Sequence, residues 1–88
     1  MATVFCQKWI ESERGWGMRD DGVSLHLTEA DLTAFIKEYW AAMPKEVPDE
    51  YARPDGLPKR IELDKRTKLY KSLAKSPQGI WHYGEVKC

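Results

Sequence analysis

The stretch "VSLHLTEADLTAFIKEYWAAMP", residues 23–44, changes its period half-way along. Val23, Leu25 and Leu27 alternate with Ser24 and His26, which is the period of a half-buried strand with its aliphatics on one face and a polar face opposite. From Leu32 onward the apolar residues Phe35, Ile36, Tyr39, Trp40 and Met43 recur at helical spacing, forming one face over three turns. Thr28 stands between the two patterns as a favoured N-cap. Glu29 and Asp31 follow it, where carboxylates suit the positive end of the helix dipole. Pro44 closes the segment. The reading is a strand followed by a core-facing helix over 29–43.

Upstream, "TVFCQKWIE" is rich in β-formers and reads as a first strand over 3–11. "RGWGMR", residues 14–19, reads as a short second strand. Its glycines suggest a bulge or a close backbone approach. Asp20-Asp21-Gly22 then supplies the chemistry of a tight turn into the strand at 23–27.

Downstream, "PKEVPDEYARPDGLP", residues 44–58, holds four of the five prolines. Each fixes φ and removes a donor, which argues against regular structure. Val47, Tyr51 and Leu57 are spaced through it, so the expectation is an ordered excursion wrapped on the core. "KRIEL" (59–63) reads as a strand, with Asp64 capping a short helix over 65–75 whose inner face is Leu69, Tyr70 and Leu73. After the turn "SPQG", "IWHYGEV" closes the chain as a strand with Trp81 and Tyr83 on one face and Ile80, His82 and Val86 on the other.

The class expected from this order is α+β: a small antiparallel sheet, made of an N-terminal β-meander plus C-terminal strands, packed against one long amphipathic helix. A second, shorter helix and a proline-rich ordered loop complete it. At 88 residues this is one domain, 1–88. Four Trp, four Tyr and two Phe supply its core, because each aromatic can bury roughly 150–250 Å².

Formal net charge is zero, so no global field attracts nucleic acid or membrane. Residues 1–44 nevertheless carry four Lys/Arg against seven Asp/Glu, and residues 45–88 carry ten against seven. The excess concentrates in 59–75. No apolar run reaches the length of a membrane span, and no secretory signal is read. Cys6 and Cys88 are the two cysteines, too few for a disulfide-built secreted domain. The expectation is a cytoplasmic protein with reduced thiols.

No catalytic, cofactor or metal site is read. Cys6, His26, His82 and Cys88 lack the close-spaced pairs of structural zinc sites. There is no Gly-x-Ser-x-Gly, and Cys6 falls inside a strand as a small hydrophobe. What remains is recognition of a macromolecule, with a protein partner preferred over nucleic acid. A small-molecule ligand is not favoured, and the oligomeric state is left open. Arg14, Trp16 and Arg19 surround glycines where a ligand can approach the backbone; the plainer alternative is that Trp16 packs on the helix and the arginines pair with nearby acids. Tyr51 and Arg53 are residue types that dominate interface energies. Lys65, Lys68, Lys71 and Lys75 form the basic stripe of the alternative, in which Tyr70, Trp81 and Tyr83 serve as stacking platforms for nucleic acid.

Overall fold

The computed structural model describes residues 1–13, 17–46, 50–76 and 78–83. Its elements run β1 (Ala2–Glu13), β2 (Gly17–His26), α1 (Glu29–Ala41), β3 (Glu50–Pro54), β4 (Lys59–Leu63), α2 (Lys68–Ala74) and β5 (Ile80–His82). All five strands belong to one antiparallel sheet of order β3-β1-β2-β5, with β4 also on β1. The α+β class expected from the periodicity is the one observed.

β1 is the spine. Twelve extended residues reach about 40 Å, which matches the 42 Å long axis of the molecule. One side of β1 pairs with β2 from Phe5 to Glu13. β3, opposite Trp9–Glu13, and β4, opposite Ala2–Cys6, must therefore lie end to end along the other side. They act as one edge strand interrupted by residues 55–58. At the break Asp55 N donates to Lys8 O (2.9 Å). The buried Gln7 amide reaches the carbonyls of Lys8, Asp55 and Gly56 at 2.9, 3.3 and 3.1 Å, replacing ladder bonds that the break removes.

Two expectations change here. The proline-rich stretch contains a regular strand, β3. Its proline is tolerated because Pro54 sits at the last position of an edge strand, where no ladder N–H is needed. Asp20-Asp21-Gly22 lies within β2 and makes no hairpin turn. Trp9 pairs with Gly22 and Ile10 with Asp20, so Asp21 is the extra residue of a β-bulge. Two long strands thus occupy the place of the expected three short ones.

Alternation along β1 and β2 gives the sheet two different faces. Val4, Cys6, Val23 and Leu25 form one, closed by Leu73 of α2 with Leu27, Ile61, Leu63, Leu69 and Ile80 around them. Gln7, Trp9, Ser24 and His26 form the other, and α1 covers it. α1 begins as expected, with Thr28 Oγ1 accepting from Asp31 N (3.0 Å). α2 begins three residues later than expected. The Asp64 carboxylate is taken by Arg66, through its backbone N (2.9 Å) and its guanidinium (2.8 Å), so Thr67 caps the helix instead, accepting from Tyr70 N (3.2 Å). That same pairing holds the Asp64 carboxyl below its usual range. Cys6 is fully buried and disulfide-bonded, which corrects the expectation of a reduced thiol there. Cys88 lies outside the described residues. Among the described residues no helix is long and apolar enough to cross a membrane.

α2 is only seven residues long, too short to persist without tertiary packing. Leu73, fully buried, is its anchor. Leu73→Ala should cost about 2–5 kcal/mol, read as a lowered urea midpoint at unchanged slope. A midpoint within experimental error of the parent would refute the packing of α2 on this face of the sheet.

Candidate functional site

The face under α1 is built around a buried polar chain. Trp9 Nε1–H donates to Ser24 Oγ (2.8 Å). Ser24 Oγ lies 2.7 Å from His26 Nε2, and His26 Nδ1 lies 2.7 Å from Gln78 O. The directions follow from the groups themselves. An indole N–H can only donate and a carbonyl oxygen can only accept. His26 therefore carries its proton on Nδ1 and donates it to Gln78, leaving Nε2 to accept the Ser24 hydroxyl proton. Trp9, Ser24 and His26 are all fully buried, yet each polar atom has a partner, as burial demands. Burial pushes the His26 pKa below its ordinary value, opposed by the Gln78 carbonyl and by Asp31.

Gly79 makes this possible. Its φ is +139°, and a Cβ there would collide with His26 Nδ1 and the Leu25 carbonyl. The chain at 78–79 can approach the ring only because this residue is glycine. Glycine at 22 meets a similar demand, since a Cβ would press on the Tyr83 ring and His82 O. A Cβ at Gly17 would meet nothing within 4 Å, so the close approach expected there is found instead at Gly22 and Gly79, while Gly15 lies outside the described residues.

Above the chain sits an aromatic layer. The Trp9 ring meets Phe35 at 6.3 Å, Tyr39 at 5.0 Å and Trp81 at 4.6 Å, all edge-to-face, the arrangement that ring quadrupoles favour. An open cleft of about 540 Å³ lies on this layer between α1 and the lead into β5. Phe35, Glu38 and Tyr39 line it from the helix, and Gln78, Gly79 and Trp81 from the other side. Gln78 Nε2 donates to Glu38 Oε1 (2.9 Å), linking the two walls. Trp40, 40 % exposed, extends the aromatic surface beyond the cleft; its ring lies 5.3 Å from Tyr39 and 6.2 Å from Tyr51. Of the expected core face of α1, Leu32 is buried and Phe35, Ile36, Tyr39 and Met43 are half-buried, while Trp40 opens to solvent.

The Tyr39 hydroxyl also acts at the sheet edge. It donates to Ala52 O (2.7 Å) and accepts from Ala52 N (3.1 Å). Both outward backbone groups of this residue are thereby occupied, which blunts the edge of β3.

The residues singled out in the sequence separate into distinct places. Tyr51 and Arg53 lie on β3, with Tyr51 beside Trp40. Lys65, Lys68, Lys71 and Lys75 are all exposed, on α2 and its flanks. Trp81 is not beside them. It faces α1, on the opposite side of the sheet from α2, so it cannot be a stacking platform for the lysine stripe. Arg14, Trp16 and the side chain of Arg19 lie outside the described residues. His26, read as a polar-face residue, is instead sealed in the second core, and the cleft's Phe35, Glu38, Tyr39 and Gln78 were not among the expected site residues. The odd positions of the first strand, Phe5, Gln7 and Trp9, were a usable signal, since Trp9 needs a covered face. No group of three His, Cys, Asp or Glu among the described residues is placed to hold a metal.

No family model matches this chain, and neither a curated protein nor a solved structure does.

Two outcomes follow from the buried chain. Unfolded His26 takes up a proton near pH 6.5, whereas the folded ring resists it until lower pH. Between those points the unfolded chain binds more protons, so stability should fall as pH drops below about 6.5 and be insensitive to this group above it. Melting temperature measured from about pH 7.5 to 5.5 should decline in the parent and be flatter in His26→Gln; a parent curve that is level or rises on acidification would contradict the assignment. Separately, Gly79→Ala should destabilise by more than about 1 kcal/mol, the scale of forced positive φ alone, whereas Gly56→Ala, with φ +71° but open space around it, should lose less. Equal losses in the two melts would show that the close approach to His26 is not limiting.

Proposed function

We propose that this chain is a non-enzymatic binding domain that recognises another protein through the aromatic surface of α1 and β3. The observation that carries the reading is the run of rings from the cleft (Phe35, Tyr39, Trp81) out to the exposed Trp40 and its neighbour Tyr51. Large, rigid side chains of this kind supply most of the energy at protein interfaces. They stand on α1, β3 and β5, which a continuous aromatic layer holds together, so little ordering is lost on binding. Against catalysis stands the location of the Ser24–His26 pair. It has the spacing of a nucleophile and its base, but both residues are fully buried and the Ser24 hydroxyl is engaged by Trp9 as well.

One observation favours a second reading. Lys68, Lys71 and Lys75 recur at spacings of three and four on the solvent side of α2, with Lys65 preceding them, while Leu69 and Leu73 hold the opposite side to the sheet. That stripe suits the phosphate backbone of a nucleic acid. It lies on the other side of the sheet from the aromatic surface, so the two readings are separable by position. The cytoplasmic location expected from the sequence is at odds with the disulfide at Cys6, because such bonds persist mainly in oxidising compartments. Alkylation on lysis, followed by a determination of whether Cys6 was thiol or disulfide in the cell, decides between a reducing and an oxidising compartment.

The decisive experiment places a photo-cross-linker at each surface in the cell of origin. Trp40→p-benzoylphenylalanine should yield one protein adduct that resists nuclease, and Lys68→p-benzoylphenylalanine should not. A nuclease-sensitive adduct from position 68 alone would transfer the function to the lysine stripe. In that event replacing the four lysines by Gln should reduce the slope of log affinity against log salt by about 0.7–0.9 for each phosphate that is no longer neutralised.

A further inference from the structure

The cleft between α1 and the lead into β5 has a composition that narrows what it can hold. The Phe35 and Trp81 rings lie 5.1 Å apart at 62°, and Tyr39 and Trp81 lie 6.1 Å apart at 69°. Rings inclined in this way form walls rather than a stack, and the face of each carries the negative side of its quadrupole. Glu38 is the charged residue of the lining, and none of the cleft's six lining residues is cationic. Its carboxylate is tethered over the cleft by Gln78 Nε2 (2.9 Å), yet a carboxylate can accept several hydrogen bonds, so capacity remains.

Three classes of occupant fare differently here. An anion meets Glu38 and the ring faces as like charge. A neutral apolar group fills the cleft but takes a carboxylate out of water without compensation. An ammonium is attracted by rings and carboxylate together. We propose that the cleft receives the ammonium end of a lysine side chain, free or methylated, projecting from the protein partner. This rests on the reading of the aromatic surface as a protein interface and specifies what the partner presents there. Methylation spreads the charge and reduces the water that must be stripped, so the trimethylated form should bind best.

The cleft wall is set by elements remote from it. Gln78 is positioned through its carbonyl by His26, and Trp81 is backed by Trp9. Trp81→Ala therefore risks unfolding the domain. Glu38→Gln is the cleaner variant, because Glu38 is exposed and glutamine keeps an oxygen for Gln78.

The test is a titration of the intact protein followed by the indole N–H resonance of Trp81. The probes are N-acetyl-lysine methylamide, its trimethylated form, the isostere with a tert-butyl carbon in place of nitrogen, and choline. Saturable shifts with the trimethylated probe, at least about tenfold weaker binding of the isostere, and a several-fold loss in Glu38→Gln are expected from cation–π and carboxylate attraction together. Equal binding of the isostere would overturn the proposal, leaving a plain apolar groove. So would the absence of any shift up to the solubility of the probes. Choline binding as tightly as the side-chain probes would overturn the assignment to a protein side chain. A partner cross-linked from position 40 whose affinity is unchanged by Glu38→Gln would retain the interface and remove only the ammonium.

Discussion

A histidine ring with no access to water must find a partner for each nitrogen, and at His26 that requirement organises much of the molecule. Its partners are Ser24 within the same strand and Gln78 from a distant part of the chain. The first engages Trp9, the largest fully buried side chain among the described residues, so the polar chain and the aromatic layer share a residue. The second brings residues 78–79 against the sheet and delivers β5 to the edge of β2. Remove the acceptor at Gln78 and a buried donor is left without a partner, at a cost of about 1–3 kcal/mol before any packing is counted. The cleft, the glycine at 79 and the placement of Trp81 all descend from this one pairing.

The two faces of the sheet solve the problem of burial differently. The face under α2 is aliphatic and needs nothing beyond close packing. The face under α1 is aromatic and polar, and every polar group on it demands direction as well as proximity. Apolar packing tolerates small slides, whereas a donor–acceptor chain does not. The face that presents the candidate site is thus the one whose geometry is most tightly specified, as a binding surface formed before its ligand arrives should be.

Much of the fold was legible because its signals are local. Thr28 and the helical period define α1, and "KRIEL" is the strand expected; of the closing strand read over "IWHYGEV", Ile80–His82 is strand, Tyr83 is not, and 84–86 lie outside the described residues. Most of the failures are decided at long range. β3 is a strand because β1 extends to Glu13 and offers a ladder, which proline counting along 44–58 cannot reveal. Asp20-Asp21-Gly22 has the composition of a turn, but the pairing of Trp9 with Gly22 makes it a bulge. Ser24 and His26 look solvent-facing until a helix is laid across them. Asp64 is as good a cap as Thr67 in isolation, and Arg66 decides between them. The cleft was illegible for the same reason: Phe35 and Trp81 sit far apart in the chain and meet only once β5 is in place.

The position of β1 also has a consequence in time. It is translated before the other described strands, yet it lies inside the finished sheet with partners on both sides. Thr3 waits for Glu62, and Ala2 for Leu63. β2 can join it early as a local hairpin, but the opposite flank stays open until β4 has left the ribosome, and the second flank of β2 until β5 has. Non-local pairing of this kind slows folding, since loop closure comes before the interactions that reward it. During that interval the nascent chain presents a long, twelve-residue strand with one bare side, the feature most prone to join a neighbouring chain. The yield of this protein in a cell should therefore depend on how fast it is made and how crowded its ribosomes are, more than on how stable it is once complete.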